Sequence, residues 1–218
     1  MGLFNFGKAK GESPEELAER AKRAESEATQ KAAQLEELRE LVRHLDEDRL
    51  LLLRAAMELR PGMDPKALGQ ALLEICFKPL GLASFYLALI DWDRDRITFP
   101  VYHEGGRLRN QPERPFLAER EGGLTGKAVL SGNPLYISTL EEGRRAGAIF
   151  SEAERISGLV PQSWYGVPLG GEHGFGLVSF QSFHQEAFPD SRRRLMDALA
   201  AIVAMALKAA PARTAPGG

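Results

Sequence analysis

From Leu17 to Leu59 apolar residues recur at alternating spacings of four and three: Leu17, Ala21, Ala24, Ala28, Leu35, Leu38, Val42, Leu45, Leu52, Ala56 and Leu59, with Lys31 and Arg49 at the two remaining positions. This is a heptad seam on a single long helix. Ser13-Pro14-Glu15-Glu16 opens it as a capping box with proline at the first helical position, and Arg60-Pro61-Gly62 stops it. Such a helix is on the order of 65 Å long at 1.5 Å per residue, too long to bury its stripe against one compact domain. A second helix must cover it, and a homodimeric coiled coil over residues 13–60 is the economical expectation, the alternative being an extended surface helix that folds back on its own domain. Leu35, Leu38, Val42, Leu45, Leu52 and Leu59 carry that contact; the alanine-rich first half is the weaker part.

The remaining chain has to fold with what is left. Of 218 residues, 44% are hydrophobic, enough for one sizeable core beyond the helix. A net charge of −2 gives no bulk reason to expect nucleic acid. One cysteine can form neither an internal disulfide nor a metal cage, which fits a reducing compartment. No apolar run approaches a membrane span and the start lacks a secretory h-region, so the chain reads as cytoplasmic. Leu3, Phe4 and Phe6 beside Lys8 and Lys10 form a small knob in a tip, 1–12, read as flexible. The knob would suit a partner groove or membrane surface, but a frayed terminus is the simpler expectation. Phe6 breaks the myristoylation pattern that Gly2 suggests.

Asp64-Pro65 repeats the cap-then-proline signal before a short helix through Leu68, Leu72, Leu73, Ile75, Cys76 and Phe77. Cys76 falls among these apolar residues and reads as a buried small hydrophobe. Ser84 to Asp91 and Arg96 to Tyr102 read as a hairpin joined by Trp92-Asp93-Arg94-Asp95, with His103 exposed at its end. Residues 104–163 read as irregular, holding one short helix near Leu124 to Leu130 and one strand, Leu135-Tyr136-Ile137. Ser163 to Ser182 reads as a second hairpin about Gly170-Gly171-Glu172-His173-Gly174, apolar on both faces and therefore central. Pro189-Asp190 caps a final helix with Leu195, Leu199, Ile202, Val203 and Ala206 on one face, and 209–218 is a Pro-, Ala- and Gly-rich tail read as disordered.

Gly122-Gly123-Leu124-Thr125-Gly126-Lys127-Ala128-Val129 running into Leu135-Tyr136-Ile137 resembles the glycine-start helix and following strand of GAF domains. The Ser163-to-Leu169 strand, the glycines from Gly174, and Ala187-Phe188-Pro189-Asp190 before a Leu/Ala-rich helix resemble that family's C-terminal half, the likeness covering residues 62–208. The resemblance implies an α+β fold: an antiparallel sheet of five to six strands flanked by helices, with a ligand cavity under the loops. It also implies a homodimer and a signalling or regulatory role as a small-molecule sensor. A ligand-free scaffold or adaptor, working through protein partners at the helices or tip, is the alternative.

Carried onto matching positions, the family's pocket wall is Phe116, Leu124, Thr125, Phe150, Glu154, Ser157 and Ser179, a mixture suited to a small, flat or partly polar molecule. Inward collapse of Phe116, Leu124 and Phe150 would instead fill the space. The cyclic-nucleotide signature falls on Tyr136, Ser138, Phe150, Glu154 and Arg155, where only the Phe is retained. Covalent bilin attachment and a thiol cycle of methionine-sulfoxide reduction both lack a suitably placed cysteine. Glu104, Glu119, Glu121 and Glu154 read as a solvated face without an acid–base partner, and the Arg107, Arg109 and Arg114 cluster is diluted by Glu113 and Glu119. No P-loop, kinase signature or metal-ligand spacing is present. The expectation is therefore a chain that is not an enzyme, has no catalytic or metal site, and whose cofactor, if any, its residues do not name.

Overall fold

The structure, a computed structural model, describes residues 13–117 and 122–208, without the side chains of Glu16, Glu152, Ala153 and Ser157. The N-terminal tip, the C-terminal tail, Glu119 and Glu121 lie outside the described residues. The chain divides into two compact units, Met1–Glu47 and Asp48–Gly218.

In the first unit the described residues after Ser13 belong to helix α1, which spans Pro14–Glu58 and so continues into the second. Leu35, Leu38, Leu41, Val42 and Leu45 are 53–61% exposed. Ion pairs at helical spacing, Arg23 with Glu19 and Arg43 with Glu47, each at 3.1 Å, lie at the surface and contribute little.

The second unit includes the last turns of α1. Leu51, Ala55 and Leu59 are buried there among helices α2 (Pro65–Cys76) and α6 (Asp190–Lys208). Leu59, expected on the dimer seam, is 3% exposed in its own core, so the seam loses this position. Asp64 caps α2 by accepting from the backbone N–H groups of Lys66 and Ala67, as the sequence signal predicts.

Seven antiparallel strands form one sheet: β1 (Ser84–Asp91), β2 (Arg96–Glu104), β3 (Arg107–Leu108), β4 (Arg114–Pro115), β5 (Leu135–Ile137), β6 (Ser163–Leu169) and β7 (Gly176–Ser182). Their order is β3-β2-β1-β7-β6-β5, with the two-residue β4 also on β2. The α+β architecture with an antiparallel sheet is thus as expected, the additional strand pairing being supplied by the two-residue pieces. The late hairpin is held by Val167 opposite Val178 and Tyr165 opposite Phe180, and β7 pairs on its other edge with β1, Leu87 facing Val178.

Alternation along these strands splits the core in two. Phe85, Leu87, Tyr165, Val167, Val178 and Phe180 face the layer of α1, α2 and α6. Tyr86, Ala88, Ile90, Ile97, Trp164 and Leu177 face the other side, against helix α3 (Leu124–Ser131). Two expectations need correction here. His103 is not an exposed strand end: it is 9% exposed and its ring meets Phe77, the residue that follows α2, edge-on at 4.4 Å, because β2 runs on to Glu104. The segment 104–163 is not largely irregular either. It holds β3 and β4 together with helices α4 (Leu140–Ala146) and α5 (Glu152–Ser157), too short to show an apolar period.

Candidate functional site

The second sheet face carries a cavity of about 80 Å³, against the ~10–15 Å³ that one water molecule requires. Strand residues form its floor and α3, α4 and α5 its walls. Those helices owe their positions to local chemistry. Thr139 caps α4 by accepting from the Glu142 N–H at 3.2 Å, and Gly147, at φ +92°, ends it. A side chain at Gly147 would place its Cβ 2.2 Å from the Gly122 carbonyl oxygen, so this left-handed turn lets α4 lie against the start of α3. Ser151 and Glu154 cap α5 reciprocally: the Ser151 N–H donates to Glu154 Oε2 at 2.7 Å and the Glu154 N–H to Ser151 Oγ at 3.0 Å.

The floor is aromatic. Tyr86 stacks on Tyr102 at 5.6 Å with 7° between planes, Phe99 meets both rings edge-on, and the Arg114 guanidinium lies 5.0 Å over Phe99. Trp164 lies flat across Gly166 and donates its indole N–H to Tyr86 Oη at 3.3 Å, while Tyr86 Oη and Thr125 Oγ1 share a hydrogen bond of 2.9 Å. At one end the Ser151 hydroxyl donates to Glu104, so that Glu104 and Glu154, 7% and 6% exposed, are joined through one serine. Burial, with a smaller contribution from Glu104, holds the Glu154 carboxyl above the usual range despite the Ser151 bond. Burial first, then the charges of Glu154 and Glu104, push the Tyr102 hydroxyl up, so it stays protonated and able to donate.

Of the expected pocket residues, Leu124, Thr125, Phe150 and Glu154 line this cavity. Phe116 does not: fully buried, it packs edge-on to Trp92 at 5.3 Å. Ser179 is fully buried and accepts from Gln181 Nε2 at 3.1 Å, leaving Gln181 as the β7 residue at the cavity. The Ser157 side chain is outside the described residues. Glu104 and Glu154 are not the solvated face that their Arg-rich surroundings suggest. Tyr86, Phe99, Tyr102, Trp164 and Gln181 were missed by the sequence reading, although alternation along β1, β6 and β7 places Tyr86, Trp164 and Gln181 on the inner parity. The S-x-x-E of Ser151 to Glu154 is a helix signal that could have located the α5 wall.

Other candidate positions point away. Tyr136 packs against Tyr165 and Phe188, Ser138 donates to Glu142 from both its N–H and its hydroxyl, and Arg155 is exposed. Cys76 is fully buried on α2 across the sheet from the cavity, and burial pushes its thiol up, away from the reactive thiolate. None of the described helices is long and apolar enough to cross a membrane.

The sequence profile of the family described as GAF domain matches residues 62–208. No match was found among curated proteins. Among solved structures, the free methionine-R-sulfoxide reductase of Neisseria meningitidis with its substrate aligns with TM-score 0.60 at 17% identity, covering 75% of this chain and 89% of that one. The A. aeolicus nlh2 GAF domain in an inactive state aligns with TM-score 0.56 at 16% identity, covering 76% and 98%. Residues 122 to 287 of a methyl-accepting chemotaxis protein align with TM-score 0.54 at 16% identity, covering 72% and 94%. At these identities the likeness shows the fold alone. It nevertheless overturns the expectation that this chain is not an enzyme, because one of the structures sharing the fold is a reductase holding its substrate. The fold therefore does not exclude catalysis.

Proposed function

Because the chain belongs to the GAF domain family over residues 62–208, we propose that it is a homodimeric regulatory protein that takes up a small molecule in the cavity on the second sheet face. The observation that carries this reading is the cavity itself, an aromatic floor with a few convergent polar groups, Thr125, Glu154 and Gln181, under three short capped helices. A ligand there would bridge the sheet to α3, α4 and α5 and shift the packing of these elements by the difference in its affinity for their arrangements. The chemotaxis protein that shares the fold supports a sensory reading.

Dimerisation is proposed through the exposed stripe of α1, at Leu35, Leu38, Val42, Leu45 and, half-buried, Leu52. That stripe also favours a second reading, a scaffold that works through helix contacts without a ligand. Native mass spectrometry of the purified chain separates them. A dimer with a discrete extra mass supports the sensor; a bare dimer whose melting temperature no small molecule raises supports the scaffold. A monomer overturns the dimer reading in both.

A further inference from the structure

The cavity wall contains acceptors that the protein leaves without donors. Glu154 is 6% exposed; its Oε2 takes the Ser151 N–H, and its Oε1 has no hydrogen-bond donor among the described residues. Gln181 is 7% exposed; its Nε2 is committed to Ser179, and its Oε1 likewise has no donor there. Gln162 commits its Nε2 to the Val160 carbonyl at 3.2 Å, and its Oε1 is left in the same way. All three side chains line the cavity. These oxygens are not sealed from solvent, since the one buried side-chain atom without a partner among the described residues is His103 Nδ1, so in the empty cavity water can take them. A group that brings several N–H donors to this wall would displace that water and satisfy all three.

The charge and the rings narrow the choice. The lining holds one carboxylate, Glu154, backed through Ser151 by Glu104 outside the lining, and one guanidinium, Arg114, which lies over Phe99 and has further interactions of its own. The one cation of the lining is already engaged, while Glu154 presents an acceptor to the cavity with a second carboxylate behind it, which favours a cationic over an anionic ligand. Tyr86, Tyr102 and Trp164 add aromatic surface, which attracts a cation with an apolar body. Water could satisfy the acceptors but gains nothing from the rings.

We propose that the cavity selects a protonated organic amine, its ammonium donating to Glu154 and to the Gln181 and Gln162 carbonyl oxygens and its apolar part lying on Tyr86 and Trp164. This rests on the reading of the cavity as a ligand site. Three probes of similar shape test it on the full chain at pH 7.5: benzylammonium, benzyl alcohol and phenylacetate, followed by calorimetry and by the NMR signal of the Trp164 indole N–H. Benzylammonium is expected to bind about tenfold or more tightly than benzyl alcohol, the scale of one charge-assisted hydrogen bond. Phenylacetate is expected to bind more weakly than either. Glu154→Gln, which keeps the Ser151 cap, should remove the preference for the amine while leaving benzyl alcohol binding in place; Gln181→Leu should weaken the amine selectively as a second variant. Equal or tighter binding of the alcohol or the anion overturns the amine proposal and leaves the cavity as a ligand site. If no probe perturbs Trp164, both readings fall.

Discussion

The Tyr165 hydroxyl of β6 donates to Asp197 Oδ1 of α6 at 2.7 Å, so a strand buried on both faces is pinned to the final helix by one charge-assisted bond. Burial first and then Asp197 push the Tyr165 hydroxyl up. The sign follows. A group whose folded pKa is raised contributes fully below its unfolded value, here about 10, and loses that contribution as pH rises through the folded value. Tyr165→Phe leaves the Asp197 carboxylate without this donor. We expect a loss of about 1–2 kcal/mol at neutral pH, with a shallower alkaline decline than wild type, read from urea unfolding between pH 7 and 11. An unchanged midpoint at pH 7 would show the bond to be dispensable.

Gly166 sets the position of the cavity floor. An added Cβ would come within 1.9 Å of the Trp164 ring, on the same face two residues earlier. Gly166→Ala therefore has to lift the indole, break its bond to Tyr86 and reduce the cavity. The expected outcome is a loss of roughly 1–3 kcal/mol together with altered Trp fluorescence. Stability loss without a spectral change would place the strain elsewhere.

How much of this was legible in the chain divides along one physical line. The long helix, α2, β1, the late hairpin and α6 each carry a period or a cap pair that belongs to one element alone, such as Asp64-Pro65 for α2. The cavity does not. Its floor is assembled from Tyr86, Phe99, Trp164 and Gln181, far apart in sequence and brought together by strand pairing, and its walls are helices of six to eight residues. Leu124, Thr125, Phe150 and Glu154 were placed by likeness to a family, whereas Phe116 and Ser179 failed because an apolar or small residue near a pocket can as readily turn into the core. His103 was misplaced because the expected strand stopped at Tyr102, one residue short of it.

Glu154 gives a pH prediction of the same sign. Burial and Glu104 raise its folded pKa, so its contribution to stability is present in full below the usual carboxylate range and declines as pH rises through the raised value. The groups facing it are Glu104 and Tyr102 of β2, with Arg114 of β4 acting on Tyr102. Glu154→Gln removes the buried charge and keeps an acceptor for Ser151. It should raise the melting temperature at pH 7.5 and leave it unchanged at pH 4. A lower melting temperature at pH 7.5 would mean that the ionised form is stabilised by contacts other than these.

The exposed stripe of α1 and its buried end answer differently to the same chemistry. Leu38→Glu with Leu45→Glu places charge on residues that are 61% and 58% exposed in one chain. If α1 pairs with a second copy, the double variant is a folded monomer by sedimentation, with the domain's unfolding midpoint preserved at high dilution. Leu59→Glu buries a charge in the core beside α2 and α6, and it should unfold the domain, at a cost of several kcal/mol. A double variant that remains dimeric moves the interface off the seam.

Cys76 decides whether a thiol can take part in anything this chain does. Its Sγ points at the Leu73 carbonyl at 3.9 Å, the side chain is fully buried on α2, and burial pushes the thiol up. Only an opened form can then react, and its population under native conditions follows the free energy of opening α2 from the core. Labelling with an aromatic disulfide at pH 8 should be slower than in denaturant by a factor of ~10³ or more, the scale set by a few kcal/mol of opening free energy. Cys76→Ser should slightly destabilise the domain, because the hydroxyl is buried where no strong partner waits, and it should leave binding at the cavity across the sheet unchanged. Fast labelling of the native protein would show that α2 opens readily, and it would return the thiol to consideration in a fold that a reductase shares.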